Sequence, residues 1–103
     1  MERLSCIIFD LDGTLTRTNE LIYATFNHVA EKYLHAAFTP AEITAMFGPP
    51  EEVAIERLVG PERRDRALDD FYAFYATHHP TMASAYDGIR EMLDALRARG
   101  IRL

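Results

Sequence analysis

The feature that most constrains this chain is an apolar run, Leu4-Ser5-Cys6-Ile7-Ile8-Phe9, that ends on Asp10-Leu11-Asp12-Gly13-Thr14-Leu15-Thr16. A short apolar run stopped by Asp and Gly reads as a buried strand. Side chains two apart on an extended backbone point the same way, with Cα atoms roughly 6.5 Å apart. Asp10 and Asp12 can therefore face one small site just beyond the strand's carboxyl end. In open α/β sheets that is where ligands bind. Gly13 permits a sharp turn and a close backbone approach to a ligand. A plainer reading is that the two Asp residues only cap a strand–loop junction, using their own hydrogen bonds. A calcium loop needs Gly at its sixth position, and Gly13 is the fourth counted from Asp10. A glycosyltransferase needs a nucleotide-binding region upstream, and nine residues precede Asp10.

Asp10-x-Asp12-Gly13-Thr14-Leu15-Thr16 after an N-terminal apolar strand resembles the first motif of the haloacid dehalogenase-like hydrolase superfamily. The resemblance implies a nucleophilic Asp10 that also binds metal, and an Asp12 that acts as general acid and base. It also implies a backbone carbonyl of Asp12 on the metal and N–H groups of Gly13 and Thr14 near the phosphoryl oxygens. The metal expected is Mg²⁺, a hard cation that prefers oxygen ligands and can neutralise charge between a carboxylate and a phosphoryl oxygen. The reaction implied is hydrolysis of a small phosphorylated metabolite through an aspartyl-phosphate.

Four helices are expected next. Ile22, Phe26, Val29, Ala30, Tyr33 and Leu34 recur at helical spacing between Glu20 and about Ala36, with Thr18 or Asn19 as cap. Thr39-Pro40-Ala41-Glu42 reads as a capping box with Pro at the first helical position. Pro49-Pro50-Glu51-Glu52 opens a third helix that runs to Val59 and is stopped by Gly60, and Pro61-Glu62 opens a fourth that reaches His78 or His79 before Pro80. Asp87 is the expected cap of a last helix carrying Ile89, Met92, Leu93 and Leu96 on one side and ended by Gly100. Ile101-Arg102-Leu103 looks like the start of a second strand.

The fold class expected is α/β. By resemblance it is the N-terminal part of a doubly wound parallel-sheet (Rossmannoid) core with an inserted all-helical cap of the type-one kind. Residues 1–16 would form the first strand and nucleophile loop, 17–82 the cap, and 83–103 the return helix and start of the next strand. The family's second motif, its later Lys and its acidic pair would fall past Leu103. Gly48-Pro49-Pro50 falls where such caps place a substrate-specificity loop, although helix punctuation alone also explains it. Asp12 argues against phosphonate-cleaving relatives that use a cap lysine such as Lys32, and against dehalogenases proper. Phosphoglycolate-phosphatase-like and pyrophosphatase-like hydrolases are the nearest branches.

The net charge of −5 argues against a nucleic-acid partner. No apolar run approaches the length of a membrane span, and no secretory pattern opens the chain, so the expected location is cytoplasmic. Cys6 is the single cysteine and is expected to be a small core residue. Arg63, Arg64 and Arg66 read as a solvated helix face. His28, His35, His78 and His79 show no metal-ligand spacing. The rival reading is a non-catalytic product, either a truncated frame or a cap-type interaction module. For the 103-residue chain, self-association through an uncovered strand is expected.

Overall fold

The computed structural model describes residues 3–103. Its elements in order are β1 (Thr16–Arg17), α1 (Asn19–Leu34), α2 (Pro40–Thr44), α3 (Glu51–Val59), α4 (Arg64–Met82), β2 (Ser84–Ala85) and α5 (Ile89–Ala98). The molecule extends over 55 × 27 × 23 Å with a radius of gyration of 17.5 Å. A compact chain of this length would have about 13 Å. The excess arises because α1–α4 form one packed block while residues 4–9, α5 and residues 101–103 lie outside it.

That block holds the buried core. Val29, Ala30, Ile43, Ile55 and Ala67 are fully buried. Phe26 and Phe71 meet edge to face, with ring centroids 5.2 Å apart, and join α1 to α4. Local signals set the helix ends. The Thr39 hydroxyl accepts the Glu42 N–H at 3.2 Å, while Glu42 Oε1 accepts the Thr39 N–H at 3.1 Å. Gly60, at φ 87°, ends α3. Helix α1 stops at Leu34, short of the expected Ala36, because His35 turns left-handed at φ 51°.

Several expectations need correcting. Helix α4 begins at Arg64 after a turn at 61–63, and it continues through Pro80 to Met82. Proline removes one N–H donor, and so near the helix end it forfeits a single bond. The helix still closes its last turn, with Ala83 N–H donating to His79 O at 3.0 Å. Gly88, at φ 82°, rather than Asp87, occupies the cap position of α5. Arg63 is not merely solvated: its Nε donates to Val59 O and its guanidinium to Tyr33 O, both at 3.0 Å. It thus serves the C-terminal carbonyls of two helices, which lack partners within their own helix.

The stretch 17–82 is not strand-free. Arg17 belongs to β1, which pairs antiparallel with β2 in the register Thr16↔Ala85 and Arg17↔Ser84. The chain leaves for the helical block and returns from it through this one ribbon.

The apolar run Leu4–Phe9 is extended but not buried. It makes one parallel bridge, Cys6↔Arg102, with Ile7 N–H to Arg102 O at 2.8 Å and Arg102 N–H to Ser5 O at 3.0 Å. Leu4 is 72% and Ile8 92% exposed, and Cys6 is exposed rather than in the core. A parallel strand is buried when elements cover both faces; here Ile7 and Phe9 are half-buried, and Leu4, Cys6 and Ile8 on the other face are exposed. The parallel sense of the bridge, with α5 crossing between the two segments, is the α/β arrangement expected.

On the far side of α1, Lys32 donates to Asp70 Oδ2 at 2.8 Å and Tyr33 to the same oxygen at 2.6 Å. The lysine, and then the tyrosine hydroxyl, hold the Asp70 carboxyl below its ordinary range. A depressed carboxylate contributes stability above its unfolded pKa, and that contribution is lost as pH falls through the folded value. The full-length protein should therefore melt at a higher temperature than its Asp70→Asn variant at pH 7. The gap should begin to narrow below about pH 4 and shrink further as pH falls through the depressed folded value. A gap unchanged at pH 3 would remove the ion pair as its cause.

Candidate active site

Asp10 and Asp12 stand where the extended run meets the helical block. The Asp10 Oδ1 accepts the Leu11 N–H at 2.9 Å, which fixes the carboxylate's rotation and leaves its second oxygen for other work. Leu11 O in turn gathers the N–H groups of Thr14, Leu15 and Thr16 at 3.2, 2.9 and 3.1 Å, closing the loop tightly. Gly13 sits at φ 74° in that loop, a conformation that disfavours any side chain.

The Gly13 N–H donates to Thr16 O at 2.9 Å. Both N–H groups expected to meet a phosphate are thus engaged within the turn, and would reach a ligand only if these bonds opened.

Asp12 has a partner that sequence inspection missed. Thr18, only 2% exposed, donates its hydroxyl to Asp12 Oδ1 at 2.8 Å. Its carbonyl also accepts the Ile22 N–H at 2.9 Å, inside the first turn of α1. Thr18 was legible as a helix cap. It holds the cap position, yet its side chain turns to the loop instead of to the helix. The second carboxylate is thereby tied to the start of the helical block.

Asp10 and Asp12 open onto a cleft of about 540 Å³. Asn19, Ile22 and Phe26 of α1 line it, together with Met46, Phe47, Gly48 and Pro49 of the α2–α3 loop. Glu51 and Ala54 of α3 and Phe71, Tyr72 and Tyr75 of α4 complete the wall. Of the expected specificity loop, Gly48 and Pro49 reach the cleft, whereas Pro50 caps α3. The Tyr75 phenol is pushed up, first by burial and then by the negative charge of Asp12 and Glu51. Burial, then Glu52 and Glu51, push Tyr72 up as well. Tyr72 donates to Glu52 Oε1 at 3.4 Å.

The oxygen donors of Asp10 and Asp12 are of the class that Mg²⁺ prefers. Among the described residues no third acid, histidine or cysteine joins them in one cluster. Lys32 is paired with Asp70 and does not line the cleft. No helix among the described residues is long and apolar enough to cross a membrane.

The chain is similar in sequence and fold to known proteins. The chain is 33% identical over 100 residues to the Pyrophosphatase PpaX of Anoxybacillus flavithermus, covering 97% of this chain and 46% of that protein. The solved structure of the Mycobacterium tuberculosis Protein Tyrosine Kinase A (PtkA) matches with a TM-score of 0.79 and 31% identity, covering all of this chain and 48% of that one. The haloacid dehalogenase-like family protein SP0104 from Streptococcus pneumoniae matches in fold, with a TM-score of 0.78 at 22% identity, over 92% of this chain and 45% of its own. The chain spans about half the length of the curated relatives it matches. The family model described as haloacid dehalogenase-like hydrolase matches residues 7–103, a stretch that takes in both carboxylates, the ribbon, the helical block and the second extended segment, and the chain belongs to that family.

Proposed function

We propose that the protein is a phosphatase acting on a small phosphorylated metabolite, with the general architecture of the phosphoglycolate-phosphatase-like branch. The observation that carries this reading is the pairing of Asp10 and Asp12 on one cleft whose other walls come from the helical block, here read as a cap. Family membership and the pyrophosphatase relatives support a hydrolase acting at phosphorus.

In this reading the unbonded oxygen of Asp10 attacks phosphorus as the bond to the leaving-group oxygen breaks. Asp12 gives that oxygen its proton. Asp12 then takes a proton from a water, which attacks the aspartyl-phosphate. Phosphate leaves and Asp10 is regenerated. Thr18 holds Asp12 for both transfers through its 2.8 Å hydrogen bond. Mg²⁺, held by the Asp10 carboxylate and the Asp12 carbonyl, would neutralise charge between carboxylate and phosphate. Gly48 and Pro49 would meet the leaving group. A cytoplasmic location and a small-molecule partner, without nucleic acid or membrane, complete the proposal.

The test uses the full-length protein with Mg²⁺ and a series of phosphate esters of rising leaving-group pKa. Asp12→Asn should slow turnover by about 10² to 10⁴-fold on esters with poor leaving groups. It should cost less on p-nitrophenyl phosphate, whose leaving group needs no proton. An equal loss across the series would remove the acid role from Asp12.

A further inference from the structure

We propose that the cleft selects phosphoryl compounds whose leaving group is an uncharged, largely apolar alcohol or phenol, and discriminates against leaving groups that bear a second negative charge. This rests on the phosphatase reading above and names its substrate class.

Apart from the two aspartates, the cleft lining is mainly hydrocarbon and aromatic ring: Ile22, Phe26, Phe47, Ala54 and Phe71. Its polar groups are the Asn19 amide, the phenols of Tyr72 and Tyr75, and the Glu51 carboxylate. No lysine, arginine or histidine lines it among the described residues. Several of the chain's cations have bonds elsewhere. Lys32 is held by Asp70 at 2.8 Å, and Arg64 by Glu56 and Asp65 at 3.3 and 3.2 Å. Arg63 serves two helix ends, and Arg17 lies over the Tyr86 ring and 4.0 Å from Asp87.

An anionic leaving group entering this wall would meet Glu51, Asp10 and Asp12 and no cation from the helical block. Like charges at short range disfavour binding, more so where rings exclude water. Burial pushes the Tyr75 phenol up first, and the negative charge of Asp12 and Glu51 adds to it. An apolar or aromatic group instead gains from leaving water for a wall of rings. A carboxylate-bearing ester and a diphosphate are both poor fits on this account.

Three non-hydrolysable probes share the phosphoryl end and differ in the rest: phenylphosphonate, phosphonoacetate and methylenediphosphonate. Calorimetric titration of each into full-length protein with excess Mg²⁺ should rank phenylphosphonate at least about 10-fold tighter than either of the others. Glu51→Lys should narrow that preference about 5-fold or more by strengthening methylenediphosphonate, and Glu51→Gln should narrow it less. Glu51 is exposed in the first turn of α3, and circular dichroism would check that both variants keep their helices. Equal or tighter binding of either anionic probe by the wild type, or no binding of phenylphosphonate, would overturn the proposal. An unchanged ranking in Glu51→Lys would overturn the assignment of Glu51. Turnover is scored separately. The expected ranking without hydrolysis of any ester would sink the phosphatase reading but not the cleft preference. Hydrolysis with a reversed ranking would do the opposite.

Discussion

In the full-length protein, Asp10→Asn should abolish turnover of phosphate esters, by about 10⁴ to 10⁶-fold, the scale seen when a covalent nucleophile is removed. The substitution keeps the side chain's shape, and the amide oxygen can still accept the Leu11 N–H that now holds Oδ1 at 2.9 Å. The loop should therefore keep its form. What is lost is the charge and the nucleophilicity of the other oxygen. Asp10 is exposed, so no buried charge is released by the change and little stability should be lost. The measurements are single-turnover phosphate release and the melting temperature, made side by side. Near-normal turnover with an intact fold would take the nucleophile role away from Asp10. A collapsed melting temperature would instead assign Asp10 to the architecture of the loop.

What could be seen in the sequence divides by the range of the interaction concerned. The Thr39–Glu42 capping box and the Gly60 stop depend on residues a few positions apart, and both formed as expected. The helical face of α1 was legible because periodicity fixes which side is apolar. The state of Leu4–Phe9 was not. The composition is that of a covered strand, but cover must come from distant chain, and Ile8 remains 92% exposed. The ribbon of β1 and β2 was also hidden, since two residues on each side carry no period to detect. Thr18 could be seen as a helix cap, but its bond to Asp12 depends on how the loop folds back. The cleft wall was least legible of all. Phe47, Glu51, Tyr72 and Tyr75 come from three segments, and although Tyr72 and Tyr75 share one helix face, only packing brings the three segments together.

The 103-residue chain on its own should be helical by circular dichroism, prone to self-association, and inactive as a phosphatase. The helical content follows from the block α1–α4, whose apolar faces bury one another without help from elsewhere. Self-association follows from what that block leaves uncovered. Leu4 and Ile8 present apolar surface on an extended segment, and no residue of α5 is buried, although Ile89, Met92, Leu93 and Leu96 share one side of that helix. Covering a single such side chain is worth about 1.5–3 kcal/mol, so several together favour pairing with another copy. An unpaired strand edge adds backbone groups that a second chain can satisfy. Inactivity follows from charge. A phosphate in this cleft would face Asp10, Asp12 and Glu51 with no cation from the described residues lining the wall. Two carboxylates without a third ligand in their cluster would hold Mg²⁺ weakly. The purified chain can be assayed with Mg²⁺ and p-nitrophenyl phosphate, and its mass followed by light scattering over a concentration series. Turnover above background that vanishes in the Asp10→Asn chain would defeat this expectation. It would mean that a second copy supplies the missing charges, and activity should then rise with the square of concentration.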